Sequence, residues 1–437
     1  MQAVSIDPPA TRQTAWQKLC ARKVGPIPLP LYVAIAAVTV CAAAGKKLPN
    51  DMIGGIAVMM LAGFLLGEVG NRLPVLKHIG GGAILCLFVP SALIGYHLMD
   101  GDMLRALTTT MKTANLQYLY ISCLVAGSIL GMSHKVLVRG FTRMFLPLLV
   151  GTIAAGVGVG LLFGYAPMHT FFFIEIPILG GGIGEGILPL SISYAEILGR
   201  PQAELVATLV PAALLGNVVA ILSSGVVRWI GDKKPALNGN GNLVKTDKDG
   251  GLFAATHADV PPDLALMGAG LLIACGFFIF GALLSPYTGI PGPILMIISA
   301  AVLKVARVIP PQMELGAYQM YKFVSANLTF AILVGLGTLF VSWKDLMQAF
   351  TPGYFIVCAA SVIALVASGF IVGKWLDMYP VEAGIVMACH SGLGGTGDVA
   401  ILSASNRMGL MPFAQIATRI GGAIMIVAAT ILLKLTH

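Results

Sequence analysis

The chain is short of charge. Only 11% of its 437 residues are Asp, Glu, Lys or Arg, whereas 57% are hydrophobic and the mean hydropathy is +0.88. Soluble domains carry about 25% charged residues, so a soluble enzyme of this size would lack polar cover and is excluded. Metal-ligand spacing is missing too. Cys20, Cys41, Cys86, Cys123, Cys275, Cys358 and Cys389 fall mostly inside apolar runs and form no CxxC pair, which argues against a zinc site and against a disulfide framework. No HExxH, GxSxG or acidic-pair signature stands on a suitable element, so neither an enzyme nor a bound cofactor is read from this chain. The net charge of +8 does not signal nucleic acid, because the basic residues lie between apolar segments rather than beside aromatics on a polar domain.

What the chain has in abundance is long apolar runs. About 20 mostly apolar residues cross a bilayer as a helix. Runs of that kind cover 29–45, 52–68, 79–97, 115–132, 144–166, 205–229, 263–283, 290–307, 323–341, 353–375 and 413–436, which predicts an all-α polytopic membrane protein with about eleven transmembrane helices. Residues 1–28 read as a polar N-terminal tail, and 29–45 as an uncleaved first helix. The stretch 230–262, rich in Gly, Asn, Lys and Asp, reads as a flexible linker between two halves.

Two further segments are apolar but interrupted. Segment 171–197 contains Gly180 to Gly186, GGGIGEG; segment 381–404 contains Gly394 to Asp398, GGTGD. Aligned on GGxG, both motifs end in an acid, Glu185 or Asp398. Both segments read as re-entrant hairpins, since non-helical backbone at membrane depth must be covered by protein or line a cavity. Setting the first helix aside, residues 52–229 and 263–436 each comprise four spans, a hairpin and one span. Five crossings is odd, so the second half starts from the opposite face: an inverted repeat whose hairpins enter from opposite sides. With the N-terminus in the cytoplasm, about 19 of the 27 basic residues lie on the cytoplasmic side and about seven outside, as the positive-inside rule requires.

Paired interrupted segments in matching halves point to the binding site of a secondary transporter. Glycine lets backbone approach a ligand, and the N–H groups at a broken helix end favour an anion; the same glycines also suit close helix packing. Arg419, inside the last span, is costly there and suits a planar carboxylate, a structural ion pair or snorkelling to the interface. Glu185 and Asp398 suit cation or proton coupling, or bracing of the hairpins. Glu175 and Glu196 are expected near the interface, Glu68 and Arg72 at a helix end, and His390 in a structural role.

The stretches 54–74, 177–191 and 394–422 (GGIAVMMLAGFLLGEVGNRLP, PILGGGIGEGILPLS and GGTGDVAILSASNRMGLMPFAQIATRIGG) resemble the 2-hydroxycarboxylate transporters, and the likeness runs from about residue 27 to the end. The resemblance implies citrate or malate as substrate, a homodimer, and an elevator motion of a transport domain against a scaffold. It puts substrate contacts on Gly184, Gly395, Thr396 and Arg419. Where the sodium–citrate symporters carry Asn, this chain has Ile183; where they carry Asn-Arg, it has Gly392-Leu393. Ile and Leu side chains offer no oxygen to a hard cation, so no metal site is assigned. Ile183 and Leu393 are read as selectivity positions. The expectation is sodium-independent transport of citrate or L-malate across a bacterial inner membrane, by proton symport or by exchange against a counter-carboxylate such as lactate or acetate. A sodium-coupled symporter and a cation/proton antiporter are the alternatives.

Overall fold

The structure is a computed structural model and describes residues 19–74, 76, 81–131, 141–155, 167–245, 260–288, 290, 292–341, 343–344, 347, 351–407 and 410–437. For several of these, Gly395 and Thr396 among them, only the backbone is described. Most of the N-terminal tail, 156–166 of the expected fifth span and 246–259 of the linker lie outside the described residues.

Apart from one short strand pair near the N-terminus (β1, Lys23–Val24, against β2, Ile27–Pro28), the described secondary structure is helical. The first half contains α1 (Leu29–Ala44), α2 (Met52–Arg72), α3 (Gly81–Gly95), α4 (Gly101–Thr108), α5 (Leu116–Leu130), α6 (Phe141–Ile153), α7 (Pro167–Leu179), α8 (Leu188–Leu198) and α9 (Gln202–Lys233). The second contains α10 (Leu264–Thr288), α11 (Gly292–Val305), α12 (Pro311–Leu339), α13 (Pro352–Val372), α14 (Pro380–His390), α15 (Gly395–Ala404), α16 (Met411–Ile416) and α17 (Gly422–Thr436). Six helical stretches among the described residues are long and apolar enough to cross a membrane, and a seventh is α4 with its extension to Thr113 joined to α5 across a 50° bend. Several other expected spans form helices of 13 to 16 residues. Their starts and stops follow local chemistry. Asp51 caps α2 by accepting from the amides of Ile53 and Gly54, and Thr351 caps α13 through the amide of Tyr354.

The helices assemble into two packed groups. One surrounds α12, which touches α2, α3, α5 and α10; the other surrounds α9 and α13, which carry α6 and both interrupted segments, and residues 417–421 of the last span pack on α6 and on α14. Each group draws helices from both halves of the chain. Small residues let backbones approach closely inside the first group: a β-carbon on Gly127 would stand 2.5 Å from the Ala317 carbonyl oxygen, and one on Gly270 2.4 Å from that of Gly316. A buried ion pair, Lys304 to Glu314 at 2.7 Å, joins α11 to α12, and the same ammonium donates to the Leu130 carbonyl at the end of α5.

Two expectations change. The stretch after α9 is not a free tether along its described part. The amides of Gly239 and Gly241 donate to the Glu382 carboxylate at 2.8 and 3.1 Å, Arg407 bridges Glu382 and Asn238, and Val244 pairs with Met378. Glu382 is fully buried, and a buried carboxylate must find donors; the linker's glycines supply them. The last span runs through Phe413–Thr436 as expected, with a π-helical turn, Ala417–Gly421, between α16 and α17. Finally, Glu175 is 1% exposed rather than interfacial, and neither carboxylate oxygen has a hydrogen-bond partner among the described residues.

Candidate functional site

Both interrupted segments fold back on themselves. In the first, the Tyr194 hydroxyl donates to the Phe172 carbonyl at 3.4 Å, and its ring lies against Phe172 and Phe173, so residues on either side of the break at 180–182 meet. In the second, Arg407 reaches Glu382 across the break at 391–394. Each is a helical hairpin with glycine at its tip.

The two tips touch. Gly181 and Gly182 have φ of +80° and +109°, a region that side chains other than glycine's rarely enter. A β-carbon on Gly182 would lie 2.8 Å from the amide nitrogen of Gly394, and one on Gly181 2.5 Å from the Thr418 carbonyl oxygen. Glycine is therefore demanded here twice, by backbone conformation and by close approach. The second tip is further held by Asn217 of α9, whose side-chain oxygen accepts from the Leu393 amide at 3.2 Å.

The π-helical turn of the last span closes the arrangement. Thr418 donates from its hydroxyl to Asp398 (2.9 Å) or to the Cys389 carbonyl (3.2 Å), and His390 Nδ1 lies 2.6 Å from the Ala417 carbonyl. His390 and Asp398 are both buried and fasten the second hairpin to the last span. A second π-helical turn, Ile183–Ile187, carries Gly184 and Glu185. Single π turns recur at functional sites because they re-aim side chains without ending the helix.

A cavity of about 360 Å3 opens beside the tips, within roughly the 300–1,000 Å3 common to small-ligand sites. On the hairpin side it is lined by Gly181, Ile183, Gly184, Glu185, Leu393 and Gly394; on the other by Tyr120 of α5 and by Tyr321, Lys322, Ser325 and Thr329 of α12. It thus lies between the two helical groups. Arg419 stands behind Tyr321 and is not part of the lining: it donates to the Tyr321 hydroxyl, and its guanidinium carbon sits 4.6 Å from that ring's centre. Glu185 is the electrostatic neighbour of both Arg419 and Tyr321. Of the residues singled out in the sequence, the structure brings together Ile183, Gly184, Glu185 and Leu393 at the cavity with Arg419 behind it. Asp398 faces Thr418 instead. Thr396 and Gly395 open α15, next to the tip.

This geometry separates the two acids. Asp398 has the position of a brace. Asp398→Asn, whose amide oxygen still accepts from Thr418, is expected to keep transport within about tenfold of wild type. Asp398→Ala, which removes the acceptor, should lose most of it. Initial uptake rates in proteoliposomes check this; loss of activity in both variants would mean that the negative charge itself is needed.

Sequence reasoning passed over Tyr120, Asn217, Tyr321, Lys322, Ser325 and Thr329. The signal was available: polar side chains inside apolar spans usually face a cavity or a partner. The α12 stretch YKFVSANLT has several of them.

Comparison with known proteins agrees with the motifs. The profile of the 2-hydroxycarboxylate transporter family matches residues 24–431. The chain is 54% identical to the Na(+)-malate symporter of Bacillus subtilis (strain 168), over 96% of this chain and 94% of that one. It is 38% identical to the citrate/malate-proton symporter of the same strain, over 99% and 97%. It is 31% identical to the citrate transporter CitP of Leuconostoc mesenteroides subsp. mesenteroides, over 95% and 94%. A family match across nearly the whole chain, together with two glycine-tipped hairpins that meet beside the last span carrying Arg419, places this protein: it belongs to the 2-hydroxycarboxylate transporter family, and is a multi-pass membrane transporter rather than an enzyme.

Proposed function

We propose that this protein carries a malate- or citrate-type 2-hydroxycarboxylate across the bacterial inner membrane as a homodimer, with its N-terminus in the cytoplasm. The observation that carries the reading is the meeting of the two hairpin tips beside a cavity backed by Arg419. Free backbone N–H groups at broken helix ends and a guanidinium are what a carboxylate needs once it leaves water. Gly184, Gly395, Thr396 and Arg419 are the proposed substrate contacts. Placement of the cavity between two helical groups, with helices of both halves in each group, supports an inverted repeat and alternating access by movement of one group against the other.

Two modes of coupling have separate support. Ile183 and Leu393 line the cavity with apolar side chains, which favours sodium-independent work by proton symport or by exchange against lactate or acetate, with Glu185 the group placed to take a proton. The name of the 54% identical relative favours sodium symport, for which backbone carbonyls of the tips are the oxygen source. Anion-suited tips and the arginine weigh against a cation/proton antiporter that moves no organic substrate.

Uptake of labelled L-malate and citrate into proteoliposomes tests this, with a sodium gradient, a proton gradient, or internal lactate, acetate or malate imposed one at a time. Accumulation driven by any of these establishes carboxylate transport, and the effective driver identifies the mode. Cation-driven proton flux with no carboxylate uptake would refute the proposal.

A further inference from the structure

Tyr321 lines the cavity and stands between it and Arg419, the proposed carboxylate contact. The guanidinium donates to the Tyr321 hydroxyl and lies 4.6 Å from the centre of the ring, so one side chain supplies both an acceptor and a π face. The two residues belong to different helical groups. Tyr321 is on α12, the centre of the first group; Arg419 is in the π-helical turn that packs on α6 and α14 of the second. Glu185, carried by the first hairpin, is the electrostatic neighbour of both, so the hydroxyl accepts from a cation and can donate to an anion across the same boundary. A second polar tie crosses the boundary elsewhere. Gln117 of α5 donates to Gln202 at the start of α9 at 3.4 Å, and Gln202 donates to Ser191 of α8 at 3.2 Å. Neither of these bonds involves a charged side chain.

Resting on the transport reading above, we infer that Tyr321 holds Arg419 between turnovers and yields it to a carboxylate of the substrate, so that substrate binding unties the two helical groups. The two acceptors compete unequally. A phenol is neutral and offers one oxygen; a carboxylate is charged and accepts from two guanidinium N–H groups at once. A substrate in the cavity meets Tyr321 first and reaches Arg419 by displacing it. The displaced hydroxyl no longer joins α12 to the last span, and the group that carries the hairpins loses that tie. A ligand shifts a conformational equilibrium only through a difference in affinity for the two states; here the difference is the fate of this one bond. The loaded carrier moves without the tie, and the substrate-free carrier returns against it. A tyrosine that only oriented Arg419 for the substrate would act in the opposite sense, since losing its hydroxyl would weaken binding.

The test compares wild type, Tyr321→Phe and Gln117→Leu in proteoliposomes loaded with labelled L-malate or citrate, at equal ion concentrations and zero membrane potential. Efflux into substrate-free buffer requires the substrate-free carrier to return; efflux into buffer holding the same unlabelled carboxylate does not. Tyr321→Phe removes the acceptor and keeps the ring over the guanidinium. It should raise the ratio of net efflux to exchange, and lower the KM for the carboxylate, each by roughly threefold or more, as loss of one competing hydrogen bond implies. Gln117→Leu loosens the boundary away from Arg419 and should leave both quantities near wild type. An unchanged ratio or a higher KM in Tyr321→Phe, or an equal rise of the ratio in Gln117→Leu, overturns the inference. Wild type that moves neither L-malate nor citrate into either buffer would overturn the transport reading itself, a result distinct from these.

Discussion

Arg419→Gln is expected to reduce L-malate uptake at least a hundredfold, through loss of affinity. The guanidinium lies in a π-helical turn, holds the Tyr321 hydroxyl and is the positive neighbour of Glu185. Its removal takes away the group best shaped for a carboxylate and leaves Glu185 as uncompensated negative charge at the wall the anion must approach. A hydrogen bond to a charged group contributes about 1.5–3 kcal/mol and each 1.4 kcal/mol is about tenfold in affinity, so loss of a bidentate carboxylate contact is enough for the predicted effect. Arg419→Lys keeps the charge without the planar fork and should recover only part of the binding. The double variant Arg419→Gln/Glu185→Gln separates the two roles. It removes the charge imbalance, so thermal stability in detergent should return toward wild type while uptake stays lost. Uptake that recovers together with stability would mean that Arg419 is only a structural partner of Glu185, and an unchanged affinity in Arg419→Gln would remove it from the site.

Gly182→Ala is expected to be nearly as damaging, although it adds one methyl group. At φ +109° an alanine is strained before any neighbour is considered, and its β-carbon would meet the backbone of Leu393 and Gly394 at 2.8 Å. Backbone does not rotate away as a side-chain end does, so the two tips must separate. Uptake should fall by at least tenfold even where the protein is made and inserted normally, because the tips act as a pair. Gly225→Ala on α9 is the matched control: a β-carbon there meets nothing within 4 Å, and alanine is the better helix former by about 1 kcal/mol. Initial rates normalised to protein in the membrane compare the two. Equal activities would mean that tip contact is dispensable.

Much of this was legible in the chain because the physics is local. A run of twenty apolar residues has one stable use at a bilayer, and glycine beside an acid inside such a run marks a break. The membrane class, both hairpins and the unusual cost of Arg419 follow from that alone. Glu175 shows where local reading stops. Its neighbours Phe173, Ile174 and Ile176 suit either an interface or an interior, and only packing against α9 and α13 decided that it is buried. The linker shows the same limit: Gly239 and Gly241 read as flexibility until a buried carboxylate 143 and 141 residues away captures their amides.

For the site itself, residue chemistry alone settles that a glycine-tipped, acid-bearing hairpin occurs in each half and that an arginine lies in the last span. Tertiary structure decides which of these groups meet. The tips touch through backbone, Asp398 turns to Thr418, Glu185 turns to the cavity, and α12 supplies the opposite wall. The reason lies in helix geometry. A π turn shifts the facing of every later side chain on its helix, and which face then meets a cavity depends on partners far away in the chain, which no local pattern encodes.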